Sequence, residues 1–173
     1  MDSNRTDYYR NLRPEMLPFI PAEARRILEV GCGSGAFAEH LRQERESAGR
    51  PVEIWGVEMD AEAAVVASGR IDRLLQGDAA EILPGLPEEH FDCVILNDVI
   101  EHVLEPGGLL RAVHRVLEPG GHLVASIPNV RYFFNVVDLA VHGRWDYTDE
   151  GICDRTHLRF FTRGSMVRLL EEA

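Results

Sequence analysis

With 173 residues, 45% hydrophobic and 27% charged, the chain can bury one substantial core and is short for two, so a single domain over residues 1–173 is expected. A formal charge of −11 excludes a broad phosphate-backbone footprint, which needs clustered Lys and Arg; nucleic acid is an unfavoured partner and a small or neutral acceptor fits better. Cys32, Cys93 and Cys153 are too few and too scattered for a disulfide framework or zinc ribbon, and neither a spanning helix nor a signal peptide is visible, so the expectation is a cytoplasmic protein without a membrane partner.

From about Arg26 to Ile127, short apolar runs alternate with helical patterns, the signature of strand-helix units building a parallel sheet. Ile27-Leu28-Glu29-Val30 is the first strand and ends at glycines. Ala36, Phe37, Ala38 and Leu41 form a helical stripe, closed by Gly49-Arg50-Pro51. Val52 to Val57 is the second strand, and Asp60 suits the cap of a helix from Ala61 to Ser68. Leu74-Leu75-Gln76 is a short third strand stopping at Gly77-Asp78. Phe91 to Leu96 is the fourth, apolar enough for burial on both faces. Pro106 opens a helix in which Leu110, Val113 and Leu117 recur, before Glu118-Pro119-Gly120-Gly121 turns the chain into a fifth strand, His122 to Ile127.

Beyond Pro128 the pattern changes. Val130, Phe133, Phe134, Val137 and Val141 share one helical face, and a polar, aromatic loop follows from Gly143 to Phe161, so residues 129–161 look like a helical lid insert. Thr162 is placed to cap a last helix, Arg163 to Ala173. The expected fold is α/β, a doubly wound sheet of five parallel strands with that insert after the fifth.

Glu29-Val30-Gly31-Cys32-Gly33-Ser34-Gly35 is a strand running into evenly spaced glycines before a helix, a turn that leaves N–H groups free for an anionic or carboxyl-bearing ligand. The dinucleotide fingerprint instead spaces its third glycine three residues after the second. Gly56-Val57-Glu58-Met59-Asp60 ends the second strand, where a carboxylate can accept both ribose hydroxyls, and Gly77-Asp78-Ala79 ends the third, where an Asp can bond an adenine amino group. With Phe91 to Val103 and Leu117 to Leu123, five motifs stand in the order of class I S-adenosylmethionine-dependent methyltransferases, which the chain resembles across Ile27 to Pro128.

The resemblance implies a Rossmann-like methyltransferase sheet, S-adenosylmethionine as cofactor, and contacts to it from Glu29, Gly31, Cys32, Gly33, Glu58, Met59, Asp78, Ala79 and Asn97. Tyr8, Tyr9 and Arg13 are placed either to close over the cofactor or to lie on a surface helix. The family's usual terminal antiparallel strand pair is missing, which implies a homodimer or modest stability.

If Asp98 to Val103 begins a helical turn, Asp98, Glu101 and His102 project from one face. That pattern resembles the Glu-x-x-Glu-His segment of ubiquinone-type O-methyltransferases and small-RNA terminal 2′-O-methyltransferases, which implies a divalent metal such as magnesium on Asp98, Glu101, His102 and His157. Asp98 departs from that pattern as a shorter carboxylate. Without a metal, His102 or His157 is a general base, with Asp98 beside them; the blandest reading leaves His102 as an ordinary helix-start residue. Segments around Ser126 to Arg131, Gly143 to Tyr147 and Asp154 to Thr162 resemble methyltransferases of bacterial surface-polysaccharide synthesis, which implies a saccharide acceptor. Trp145, Tyr147, Phe160 and Phe161 either stack on that acceptor or pack as the lid's own core. Two alternatives stay open: a catalytically silent S-adenosylmethionine-binding partner subunit, and an NAD-dependent oxidoreductase or epimerase.

Overall fold

The computed structural model describes residues 12–173. One sheet holds β1 (Arg26–Val30), β2 (Glu53–Glu58), β3 (Arg73–Gln76), β4 (Phe91–Asn97) and β5 (Leu117–Ser126), in the order β3-β2-β1-β4-β5. β1 pairs in parallel with β2 and β4, and β2 in parallel with β3. The winding reverses between β1 and β4, and sheets of this kind open their ligand crevice at the carboxyl ends of the strands flanking such a reversal. This is the doubly wound, Rossmann-like sheet expected.

Helices α1 (Ala36–Ser47), α2 (Ala61–Ala67), α3 (Ala79–Ile82) and α4 (Pro106–Val116) lie between strands, while α5 (Phe133–His142) and α6 (Arg163–Glu171) follow β5. Among the described residues no strand follows β5; single bridges join Asn129 to Phe161 and Thr148 to Asp154. The chain divides into two compact units, the described residues up to Asn97 with Ala112–Ala125, and Asp98–Arg111 with Ser126–Ala173.

In the first unit, Ile27 pairs with Ile54 on one side and Cys93 on the other, so three buried side chains meet on one sheet face under Phe37 and Leu41 of α1. Branched side chains suit that pleated surface. Asp92 opens β4 by accepting the backbone N–H groups of Arg25 and Arg26. Buried Arg45, near the end of α1, donates to the carbonyls of Ala22 (2.7 Å), Pro21 (2.9 Å) and Ile20 (3.1 Å), which ties the segment before β1 to the helix.

In the second unit, Val130 N–H donates to Phe161 O and Leu158 and Arg159 N–H both donate to Glu101 O. Thr162 caps α6 as expected, its hydroxyl accepting from Ser165 N–H while the Ser165 hydroxyl accepts from Thr162 N–H.

Three expectations shift, and two short elements were not foreseen. The Glu118-Pro119-Gly120-Gly121 segment lies inside β5 and is not a turn before it. A Cβ on Gly121 would lie 3.2 Å from the Phe91 carbonyl, so the glycine permits a close approach to β4. Asp98 is not helical: its φ is +53°, and the helical turn is a 3-10 segment, Ile100–His102. The helix after β5 starts at Phe133, because the Asn129 side chain accepts Arg131 N–H in an Asx turn first; no residue of α5 is buried. The short α3 and the 3-10 turn Leu83–Gly85 carry too little periodicity to be read in advance.

Candidate functional site

The glycine-rich loop is fixed by backbone. Gly31 and Cys32 N–H both donate to Val57 O, at 2.8 and 3.2 Å, and Gly35 N–H donates to Cys32 O. Gly31, Gly33 and Gly35 have φ of +70°, +55° and +72°, a left-handed run that side-chain-bearing residues resist. Gly56 gives room from below: a Cβ there would lie 2.8 Å from Cys32 Sγ and 2.4 Å from Ile71 Cδ1.

Parallel register sets which side chains share a sheet face. Glu29 pairs with Gly56 and with Ile95, and residues two apart point the same way, so Glu29 lies on one face between Glu58 of β2 and Asn97 of β4. Glu58 is buried; one carboxylate oxygen accepts Gly33 N–H and the other Asp60 N–H, both at 2.7 Å. Those bonds orient the carboxylate and leave lone pairs for further donors.

Glu29 is 3% exposed, and its Oε2 is sealed without a hydrogen-bond partner, as are both amide atoms of Asn97. Burial, and then the charge on Glu58, push the Glu29 carboxyl up to about 8. Burial and the two carboxylates push the Cys32 thiol up as well. Asp78 caps α3 by accepting Ala80 N–H at 2.8 Å, with half-buried Ala79 behind it, and Met59 is 72% exposed. The buried, orphaned polar atoms of Glu29 and Asn97, beside a loop otherwise satisfied by backbone, fit a polar, charge-bearing ligand. Tyr8 and Tyr9 lie outside the described residues; Arg13 is described, with its guanidinium on Glu15.

The second unit holds its own cluster. Glu101, His102 and His157 offer ligand atoms that all lie within 4.8 Å of one another. His157 Nε2 is 4.0 Å from Glu101 Oε1, and the two imidazoles meet edge to face at 4.8 Å. His157 Nδ1 pairs with Ile152 O at 3.0 Å and His102 Nδ1 with Thr156 O at 3.2 Å. A carbonyl only accepts, so each neutral ring carries its proton on Nδ1 and presents Nε2 as a lone pair. His102 Nε2 is buried and unpartnered. Burial and neighbouring His157 lower the His102 pKa. Asp98 is not in this group: its Oδ1 accepts the Ser126 hydroxyl at 2.8 Å.

Phe160 stacks edge-on to Trp145 at 5.3 Å and lies 6.4 Å from both Tyr147 and His157, so Phe160 is the ring that joins the two aromatic residues to the histidine cluster; Phe161 is buried. One contributor, quoted in the sequence only as the start of a segment, was given no role there. Asp154 is buried and accepts both N–H and O–H of Thr156; burial raises its pKa, but those bonds and then the two histidines outweigh it and hold it low. Asp154-Arg155-Thr156 has the Asx-turn spacing that could have flagged it.

A sheet of this winding, with a glycine-rich loop at the carboxyl end of its first strand, is a doubly wound α/β architecture of the kind in which cofactor sites are built. The chain belongs to the methyltransferase-domain family, whose model matches residues 1–173. It is 34% identical over 112 residues to a ubiquinone biosynthesis O-methyltransferase of Alkalilimnicola ehrlichii, covering 62% of this chain and 43% of that protein. It is 30% identical over 132 residues to a bifunctional methionine biosynthesis protein MetXA/MetW of Rhodopirellula baltica, covering 75% of this chain and 20% of that one. The matched stretches thus span less than half the length of these relatives. A crystal structure of a SAM-dependent methyltransferase from Archaeoglobus fulgidus superposes with a TM-score of 0.69 at 22% identity, over 96% of this chain and 67% of that one, which establishes the shared fold. Among the described residues, no helix is long and apolar enough to cross a membrane.

Proposed function

We propose that this chain transfers a methyl group from S-adenosylmethionine to a hydroxyl oxygen of a small, ring-bearing acceptor. The observation that carries the reading is the row Glu29, Glu58 and Asn97 on one face of the sheet, with sealed, unpartnered polar atoms on Glu29 and Asn97 beside a loop of left-handed glycines. Glu58 suits the ribose hydroxyls, Glu29 and Asn97 the amino-acid end, and Asp78 with Ala79 the adenine; Gly31, Cys32, Gly33 and Met59 line the approach. When bound, the cofactor supplies an electrophilic methyl group on a sulfonium. The chain's own tasks are to hold it in line and to take the acceptor's proton.

Glu101, His102 and His157 are the acceptor-side groups in this reading. Their two imidazole lone pairs and one carboxylate fit a divalent ion, which supplies a lowered hydroxyl pKa when bound. Two nitrogen donors make the set softer than the oxygen sites magnesium prefers, so manganese, iron, cobalt or zinc suits it better. Asp98, held by Ser126, is outside that set. The aromatic group around Phe160 favours an acceptor with a ring, a sugar or a phenol, and the O-methyltransferases among the relatives support oxygen as the methylated atom.

Calorimetry with S-adenosylhomocysteine and with NAD, followed by methyl transfer to sugar and phenol panels with manganese or chelator, tests the proposal. Binding of S-adenosylhomocysteine and transfer to one panel are expected. Saturable heat with NAD alone overturns it, and cofactor binding without transfer to any acceptor reassigns the chain as a silent partner subunit.

A further inference from the structure

Glu29 stands apart from every other carboxylate described in the first unit. It sits on β1 with no bond to its Oε2, while Glu58, on the same face of neighbouring β2, accepts two backbone N–H bonds as an ionised carboxylate does. On the β4 side the nearest polar group in register is the uncharged amide of Asn97, and from the loop it is the thiol of Cys32, which feels both carboxylates. Two carboxylates on one buried face, with no cation between them among the described residues, cannot both ionise cheaply, and Glu29, to which no described group donates, is the one that keeps a proton. Its elevated pKa, near 8, agrees.

We propose that Glu29 is a proton-exchanging counter-ion that selects a cationic cofactor: the empty site holds it as a neutral acid, and the positive end of the ligand displaces that proton to solvent. The products of binding are a carboxylate facing a cation and one proton taken up by buffer. This deepens the reading of the loop as an S-adenosylmethionine site and rests on it. It also gives the loop a reason to prefer that cofactor over an uncharged adenosine, a preference that grows with pH until Glu29 ionises unaided.

The experiment is titration calorimetry of the wild-type chain near neutrality in phosphate and in Tris, whose ionisation heats differ. Binding of S-adenosylmethionine is expected to release close to one proton at about pH 7 and about half a proton at about pH 8, with Kd tightening about tenfold from about pH 6 to about pH 7 and about fivefold from about pH 7 to about pH 8. Adenosine, which lacks a cation, is expected to release none. S-Adenosylhomocysteine keeps the ammonium and lacks the sulfonium; release with it assigns the ammonium as the partner, and release with S-adenosylmethionine alone assigns the sulfonium. The free cofactor's amine titrates in the same range, and E29Q, an uncharged isostere checked for folding by its melting curve, subtracts that contribution. Saturable heat that is the same in both buffers overturns the counter-ion role, as does full proton release by E29Q. No saturable heat with S-adenosylmethionine at all overturns the cofactor reading itself.

Discussion

The two clusters are built by different means. In the glycine loop, backbone does the positioning: three residues held at positive φ, two N–H groups on one carbonyl of β2, and a carboxylate clamped by two amides. In the second unit, side chains are aimed by irregular loops, as when the carbonyls of Thr156 and Ile152 orient the two imidazoles and the Glu101 carbonyl gathers Leu158 and Arg159. The first kind of site is written into residue types that only one backbone path accommodates. The second depends on carbonyls that every residue possesses.

The largest expected effect separates the two. Substituting Glu101→Gln or His157→Ala should lower methyl transfer by roughly a hundredfold to ten-thousandfold, the range for loss of proton-transfer assistance, while affinity for S-adenosylhomocysteine changes less than about twofold. Single-turnover rates and calorimetry on the same preparations check it. Equal loss of binding and rate would show that the second cluster serves the cofactor after all.

That contrast explains what was legible. Gly31, Gly33 and Gly35 announce a left-handed turn, and Asp60 and Thr162 announce helix starts, because each residue type has a local backbone reason to be there; all are found in those roles. Glu58 was placed correctly at the end of β2, but its clamp on Gly33 is a contact across 25 residues that no local pattern encodes. Asp98 illustrates the opposite failure. An i, i+3, i+4 spacing presumes a helix, and its left-handed φ of +53°, with a side chain turned to Ser126, breaks the premise. Asp154 was given no role since its value lies in holding Thr156, whose carbonyl then orients His102.

A pH effect on stability comes next in size. Glu29 has a folded value of about 8 against an ordinary 4.5, so the fold prefers the protonated form. Below about pH 4.5 both states hold the proton and stability is full; above it the unfolded chain releases its proton first, and stability falls until about pH 8, where the fold releases too. Urea melts of the ligand-free chain and of E29Q should therefore converge near pH 5 and diverge by an amount on the order of a few kcal/mol near pH 8, with E29Q the more stable. Parallel curves for the two proteins would remove the buried acid from the account.

Gly56→Val probes the backbone-built site from beneath. Its new side chain meets Ile71 and the Cys32 sulfur at distances no relaxed core tolerates, so overpacking of about 1–3 kcal/mol is expected in denaturant melts. Because Cys32 is part of the loop, S-adenosylhomocysteine affinity should fall at least about tenfold as the loop is lifted. Lost stability with intact affinity would mean that the loop is held by its own hydrogen bonds without support from β2.

The smallest change tests whether that dependence has a counterpart in the second unit. Thr162→Ala deletes the hydroxyl that accepts Ser165 N–H at the start of α6 and should cost about 1 kcal/mol, the usual worth of such a cap. Thr162 directly follows Phe161, whose carbonyl accepts Val130 N–H, so fraying of α6 loosens the strap that carries His157 and Phe160. The expected signature is a modest fall in transfer rate with unchanged affinity for S-adenosylhomocysteine, since the glycine loop owes nothing to this cap. A matching loss of cofactor affinity would show that the two clusters are stabilised as one, and the contrast between a backbone-built and a loop-built site would then describe only how each is assembled, not how each fails.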